Sequence, residues 1–251
     1  MIGKKFLIAM AAMSIFNLSN VNFAENINFT SKVYAATNAE LAEEKFKEGQ
    51  KIYNNNDFEK AILKFNEVIE LNPNHAETYN LLGMSYYRLG KFEKAVENYT
   101  KAIELNPKNA SNYSGRGFSY EELGKYEEAL ADFQEAGRVF PNYRHIGKII
   151  SNIYFKMGRY EEALAEITDD IDRYEFIDRG HPDFVGYVQR AKIYKELKKY
   201  DEAIADCNKA IEFKNDYAEA YYERGKIYQE IGENELAEED FEKASELGYE
   251  E

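Results

Sequence analysis

Cysteine, histidine, proline and tryptophan are scarce in this chain of 251 residues, which contains one, three, four and none of them, respectively. Because Cys207 is the only cysteine, an internal disulfide is excluded and packing must hold the fold together. The histidines His75, His145 and His181 are far apart in the sequence, and none belongs to an HExxH motif. The sequence therefore predicts no metal site and no cofactor.

Basic residues are also in the minority, with 32 Lys and Arg against 46 Asp and Glu, and the net charge is −14. Loss of residues 1–35 would remove three lysines and one glutamate and would bring the net charge to −16. Nucleic acids and anionic lipids are bound by basic surfaces. The composition therefore predicts no nucleic-acid partner and favours neutral or cationic proteins or peptides.

Motifs for catalysis are missing as well. Paired acids such as Glu121–Glu122 and Glu161–Glu162 follow the helical pattern and indicate solvated helix faces. The serines lack the flanking glycines of a nucleophile elbow. The acidic run 169–172 lacks the glycine and the terminal glutamate of an EF-hand loop. We therefore expect the protein not to be an enzyme.

What the chain does contain is a repeat. Six alanines recur at intervals of 34, 34, 34, 40 and 34 residues, and the residues around them recur with them. A fixed period in this range indicates one structural unit stacked on copies of itself. These marker alanines are Ala61, Ala95, Ala129, Ala163, Ala203 and Ala237.

The residues around each marker alanine alternate in size at helical spacing. Most units have an aromatic residue nine positions before the alanine and another four after it, with glycine twelve before, as Tyr86, Tyr99 and Gly83 show in the second unit. Such offsets place side chains on one face of each of two helices. We expect the small residues to lie where the helices approach closely. A larger side chain at Gly83 would then overpack the contact at a cost of about 1–3 kcal/mol.

Glycine and proline mark the predicted helix ends. A glycine between the two helical stripes tolerates the left-handed conformation that ends a helix, and a proline after the second stripe stops that helix. Each unit is therefore predicted to be helix, tight turn, helix, stop. The residues are Gly90, Gly124, Gly158 and Gly232 in the turns and Pro73, Pro107 and Pro141 at the stops.

This pattern resembles the tetratricopeptide repeat, and in the second unit eight residues match its marker positions, namely Tyr79, Leu82, Gly83, Tyr86, Ala95, Tyr99, Ala102 and Pro107. The resemblance implies an all-α fold, a right-handed α-solenoid of about six helix-turn-helix repeats, over residues 36–251. The expected units are 42–75, 76–109, 110–143, 144–183, 184–217 and 218–251.

The resemblance also implies a binding groove. In this family the first helix of each unit lines the concave side, at positions 18, 15, 14, 11, 8 and 7 residues before the marker alanine. Amides and cations there can satisfy a peptide backbone, while Met and Phe contact apolar side chains. The candidate partner-binding residues are Asn80, Met84, Tyr87, Arg88, Phe118, Lys148, Asn152 and Phe155.

The family's clamp for a C-terminal carboxylate is incomplete in this chain. Lys148 and Asn152 match the first half of the clamp. Acidic residues, Glu219 and Glu223, stand where later cations belong. The resemblance therefore does not lead us to expect a carboxylate clamp.

The fourth unit departs from the pattern. It has Ser151 where most units have glycine, Asp170 at a small position, and six extra residues before the fifth unit. Its second helix is predicted to run long and to break near Gly180 and Pro182. The insertion around 169–183 is either a neutral loop extension or a bend that shapes a binding site.

The N-terminus has a different character. A basic start is followed by the apolar run 6–16, a combination that predicts a secretory signal peptide and export segment over residues 1–35. The run is shorter than the roughly 20 residues that span a bilayer, although an uncleaved membrane tether is the alternative. Cleavage is expected after Ala24, Ala35 or Ala36, and residues 17–38 are expected to be removed or disordered.

Together these features predict a non-catalytic adaptor or scaffold of bacterial type, exported to the periplasm, the cell envelope or the outside. It is expected to bind a peptide or helix of a partner protein in its groove. The alternative is a self-assembling structural scaffold, because the ends of repeat arrays can stack into homo-oligomers. Contact with a membrane is expected only if the N-terminal segment stays uncleaved.

Overall fold

The computed structural model describes residues 23–141, 143, 145–177 and 183–250, and within these ranges it contains twelve α-helices and no strand. The helices form six consecutive pairs, so the predicted all-α repeat fold is confirmed. They are α1 (Phe23–Asn54), α2 (Phe58–Leu71), α3 (Ala76–Arg88), α4 (Phe92–Leu105), α5 (Ala110–Glu122), α6 (Tyr126–Val139), α7 (Ile146–Lys156), α8 (Tyr160–Ile177), α9 (Phe184–Glu196), α10 (Tyr200–Phe213), α11 (Ala218–Ile231) and α12 (Asn234–Glu246).

The chain divides into two compact units, residues 1–75 and residues 76–251. The first compact unit holds α1 and α2, whose interface contains the buried rings of Phe46 and Phe65. Gly49 permits this approach, because a Cβ added there would lie 2.6 Å from the Phe65 ring. The second compact unit holds α3 to α12, and two clusters of buried apolar residues lie within α5 to α11.

Small and large residues meet within the helix pairs as the repeat pattern predicts. All six marker alanines are buried. A Cβ added at Gly83 would lie 2.9 Å from the ring of Tyr99, and one added at Gly225 would lie 2.8 Å from the ring of Phe241. These distances are shorter than van der Waals contact, so glycine at these positions is required by the close approach of the helices.

The predicted helix ends are also confirmed. The four turn glycines have φ angles of 67, 69, 72 and 85°. In the first and fifth repeat units the same position is held by Asn56 and Lys198, with φ of 61 and 57°, although neither residue is a glycine. Helices α2, α4 and α6 end at Leu71, Leu105 and Val139, each two residues before a proline.

The fourth unit accommodates its departures from the pattern. Its second helix, α8, has 18 residues where α6 and α10 have 14, so the predicted extension is confirmed. The predicted break at Gly180 and Pro182 lies outside the described residues. Ser151, at the glycine position, is buried and its hydroxyl donates a hydrogen bond of 2.8 Å to the carbonyl oxygen of Ala163. This bond satisfies the one polar atom that the substitution adds.

The N-terminal expectation needs a correction. Helix α1 begins at Phe23, so disorder is wrong for residues 23–38, whose backbone is helical. The physical reason is that no glycine or proline occurs between Phe23 and Gly49, and nothing in this stretch therefore stops a helix from extending. Removal of the segment stays a prediction, and the apolar run 6–16 lies outside the described residues. Among the described helices, none combines the length and apolarity of a membrane span.

Three units also contain an ion pair that joins the two helices of the pair. In each, an arginine thirteen residues before the marker alanine makes two hydrogen bonds of 2.6–2.8 Å to an aspartate three residues after it. All three aspartates are buried. In the first unit the charges are reversed, with Lys64 Nζ 3.5 Å from Glu48 Oε2. The arginine pairs are Arg116–Asp132, Arg190–Asp206 and Arg224–Asp240.

Candidate functional site

The first helices of successive pairs in the second compact unit lie side by side, and we call the surface that α3, α5, α7, α9 and α11 form the inner face. Polar side chains connect neighbouring helices across it. Asn80 Nδ2 donates to Asn112 Oδ1 at 2.7 Å between α3 and α5, and Lys156 Nζ lies 2.7 Å from Glu121 Oε1 between α7 and α5. Further along, Gln189 of α9 donates to a carbonyl oxygen of α7 at 2.9 Å.

The five predicted residues on α3 and α5 differ in how much of each side chain is accessible. Asn80, Met84 and Tyr87 are half-buried, while Arg88 is exposed at the end of α3. Burial and, after it, the neighbouring acids raise the pKa of Tyr87, whose hydroxyl lies near α5. Phe118 packs edge-on against the core ring of Phe133, with centroids 4.9 Å apart. Phe118 therefore contributes to the core as well as to the surface.

The predicted residues on α7 are placed in three different settings. Lys148 is turned toward Asp183, with Nζ 2.7 Å from Oδ2 and only 13% of its side chain exposed. Asn152 is exposed and its amide lies 3.4 Å from a carboxylate oxygen of Glu121. Phe155 is half-buried. The structure thus directs the charge of Lys148 to an internal partner, whereas Asn152 and Phe155 remain accessible on the inner face.

A depression of about 270 Å³ opens on the inner face between α7, α9 and α11. Two of the predicted residues, Asn152 and Phe155, line it. The other lining residues were not among the predicted site residues, although each occupies one of the groove positions that the family resemblance implies. The complete lining is Asn152, Phe155, Val185, Val188, Gln189, Lys192 and Glu219.

The depression combines an apolar wall with a neutralised ion pair. Val185 is 44% exposed and supplies part of the apolar wall. Lys192 Nζ lies 2.5 Å from Glu219 Oε1. Burial opposes the charge of Lys192, but the hydrogen bond to Glu219 and the charge of that carboxylate outweigh it and raise the pKa of Lys192. Both side chains are therefore charged at neutral pH, and their charges cancel locally.

A larger cavity, of about 560 Å³, lies at the start of α5. It is formed by the loop before α5 and by the end of α6, with Phe140 51% exposed beside it. None of the predicted site residues lines it. We therefore take the smaller depression as the candidate site, because predicted residues and groove positions converge there.

Models of the tetratricopeptide (TPR) repeat match the sequence at residues 49–90, 76–109, 98–131, 191–232 and 218–247. Together these matches cover more than half of the chain. The stretch between the matched segments, 132–190, contains the fourth unit with its longer helix and its insertion. No curated protein matches the sequence.

Solved structures with the same fold include the C-terminal part of a TPR repeat-containing protein from Cytophaga hutchinsonii, with 19% identity and a TM-score of 0.68 over 80% of this chain and 78% of that one. PilF of Pseudomonas aeruginosa has 15% identity and a TM-score of 0.64 over 84% of this chain and 94% of its own. YrrB, a TPR protein described as having an unusual peptide-binding site, has 24% identity and a TM-score of 0.56 over 73% and 92%.

Proposed function

Because the chain belongs to the tetratricopeptide repeat family, whose members generally mediate protein–protein interactions without catalysis, we propose that it is an adaptor that binds a peptide or helix of a partner protein on its inner face. The observation that carries this proposal is the depression between α7, α9 and α11, where apolar, amide and paired charged groups meet.

The size and lining of the depression limit what it can hold. A volume of about 270 Å³ is just below the 300–1,000 Å³ that pockets for small molecules usually have. It suits one or two side chains of a bound segment. The apolar wall of Phe155, Val185 and Val188 favours an apolar or aromatic anchor. Since Lys192 and Glu219 neutralise each other, a charged anchor would gain little there.

The rim of the depression supplies groups that recognise a peptide backbone. Asn152 is exposed and carries both a donor and an acceptor. Gln189 is fixed in orientation because its amide nitrogen donates to the backbone of α7, which leaves its side-chain oxygen as an acceptor. We infer that an extended or helical segment crosses α7 and α9 with its anchor in the depression.

Replacement of Val185 by glutamate tests this proposal. Val185 is exposed and stands in the first turn of α9, where a carboxylate favours the helix, so the fold should persist. Leu236→Glu is the matched control, because Leu236 is 41% exposed in the first turn of α12 and lies outside the depression. Purified wild-type and variant proteins are used to capture partners from a cell-envelope extract.

We expect the wild type and Leu236→Glu to capture the same specific partner and Val185→Glu to lose it, with equal helical circular dichroism for all three. Retention of that partner by Val185→Glu would contradict binding at the depression. A follow-up titration with synthetic segments of the captured partner then locates the bound segment and shows whether its anchor is apolar.

Self-assembly is a second candidate, favoured by the exposure of Ile231 and Leu236 in the last helix pair, each 41% exposed. The molar mass in solution separates the two functions, because stacking of helix pairs requires a dimer or larger species, whereas binding at the depression does not. A dimer or larger species that Leu236→Glu reduces to a monomer would support stacking through the last pair instead.

Export of the protein is part of the proposal and is supported by the basic start and the apolar run 6–16. Cleavage after Ala36 would retain Ala42 and Phe46, which are buried in the first helix pair. Fractionation of bacteria that express the full chain, followed by N-terminal sequencing, measures both location and cleavage. Intact protein confined to the cytoplasm would refute export.

A further inference from the structure

We propose that His145, Asp170 and Asp183 form a binding site for a divalent transition-metal ion. The three residues are 25 and 13 positions apart in the sequence, and the fold brings one ligand atom of each within 4.8 Å of the others. His145 precedes α7, Asp170 lies in α8 and Asp183 precedes α9. This proposal replaces the sequence-based expectation that the chain has no metal site.

Two buried polar atoms at the centre of this cluster have no hydrogen-bond partner. Asp170 is only 7% exposed, and its Oδ2 atom is unpaired. The Nδ1 atom of His145 is likewise buried and unpaired, and it lies 3.7 Å from that oxygen. A buried carboxylate oxygen without a partner costs free energy. A cation between the two atoms would satisfy both.

The surrounding groups hold the ligands in position. The backbone N–H of Gly147 donates to the Asp170 carboxylate, and a Cβ at Gly147 would lie 2.8 Å from Cβ of Asp170, so glycine admits the carboxylate here. Asp183 Oδ1 accepts a 3.0 Å hydrogen bond from Gly186 N–H. The ring of Tyr174 lies against the imidazole of His145, with centroids 5.1 Å apart. Supporting contacts of this kind orient the ligands of metal ions in proteins.

Lys148 is the group that competes with a metal ion. Its ammonium lies 2.7 and 2.8 Å from the two oxygens of Asp183. A bound ion must share Asp183 with this cation or displace it, and the ring of Tyr174, 5.7 Å from Nζ, lies close enough to receive the displaced ammonium. Removal of the lysine charge should therefore strengthen metal binding.

The ligand set indicates the class of metal. One imidazole nitrogen with two carboxylate oxygens suits zinc, which takes four ligands and would complete its shell with water. Calcium requires six to eight oxygen ligands, more than this cluster offers. Zinc is therefore the probe of choice, and calcium serves as the comparison.

The test is isothermal titration of zinc chloride into the chelator-treated full chain. We expect one zinc ion per chain, bound more tightly than calcium, and lost in Asp170→Asn and His145→Gly. Glycine is chosen at position 145 because its φ is 62°, which glycine accepts without strain. Asp172→Asn, an exposed change on the same helix, is the matched control and should bind like the wild type. Circular dichroism verifies the fold of each variant.

Lys148→Gln keeps the proposal testable if wild-type binding is weak. Loss of a positive charge a few ångströms from the ion should lower the zinc dissociation constant by at least about tenfold. Zinc binding that Asp170→Asn leaves unchanged would overturn the proposal. So would the absence of binding at about 1 mM zinc in both the wild type and Lys148→Gln, or calcium binding tighter than zinc.

Discussion

The pair of Arg116 and Asp132 offers the sharpest test of how these helix pairs are stabilised. The guanidinium makes two hydrogen bonds of 2.8 Å to the carboxylate and a third, of 3.0 Å, to Thr100 Oγ1 in α4. The side chains of the pair are only 19% and 7% exposed. The hydrogen bonds to Asp132, against the opposing effect of burial, raise the pKa of Arg116 further, so the pair stays ionised across the physiological range.

We predict that Arg116→Leu lowers the free energy of unfolding by about 3–5 kcal/mol, because it leaves the buried Asp132 charge without its partner. A loss of this size is a large share of the 5–15 kcal/mol that typically stabilises a domain. The second repeat unit supplies the control. Leu82 and Asn98 occupy there the positions that Arg116 and Asp132 occupy in the third repeat unit. The double variant Arg116→Leu/Asp132→Asn copies that solution and should recover most of the loss.

Urea unfolding followed by helical circular dichroism measures this effect in the wild type, Arg116→Leu, Asp132→Asn and the double variant. The double-mutant cycle isolates the coupling between the two side chains. A loss below about 1 kcal/mol for Arg116→Leu, the value of an exposed pair, would refute the argument. A double variant no more stable than Arg116→Leu would refute it as well.

Three further outcomes follow from local geometry. Gly83→Ala should lower the melting temperature and cost about 1–3 kcal/mol of stability, because its Cβ would lie 2.9 Å from the Tyr99 ring. Adding Tyr99→Leu should restore part of that loss. An unchanged melting temperature for Gly83→Ala would contradict the packing. Lys198→Gly should raise stability by up to about 1 kcal/mol, since Lys198 has φ of 57° where Gly232 has 85°, and a lower stability in the same thermal assay would be evidence against strain. Burial raises the pKa of Cys207 to about 12, so a disulfide reagent at about pH 8 should label it only after denaturation; rapid labelling of the native protein would show that the thiol is accessible.

The helix pairs and their ends could be predicted from sequence because they depend on local rules. The position of Gly83 opposite Tyr99 follows from helical spacing and steric size, and the structure has the predicted contact. The turn glycines follow from the need for positive φ. Lys198 was not predicted because lysine has no preference for positive φ. The local turn holds it there, since the N–H groups of Lys198 and Lys199 donate to the carbonyl oxygens of Lys195 and Tyr194.

The buried ion pairs have a recurring signature in the sequence. Arginine thirteen residues before a marker alanine and aspartate three after it recur in three units, but the charges of a helical repeat are usually solvated and were interpreted so. Lys148, in contrast, was predicted to be a binding residue and is paired inside the protein. It occupies a position that the family resemblance assigns to the groove, yet the structure pairs it with Asp183.

The sequence by itself determined the unit of this protein, a pair of helices whose period, small-residue contacts and end signals are all encoded within about 34 residues. Tertiary structure alone decided which side chains from different units meet. It placed Asn152 and Phe155 beside Val185 and Glu219, and it brought His145, Asp170 and Asp183 together from three separate places in the chain. Such meetings depend on how one pair stacks on the next, a relation that periodic spacing along the chain does not specify.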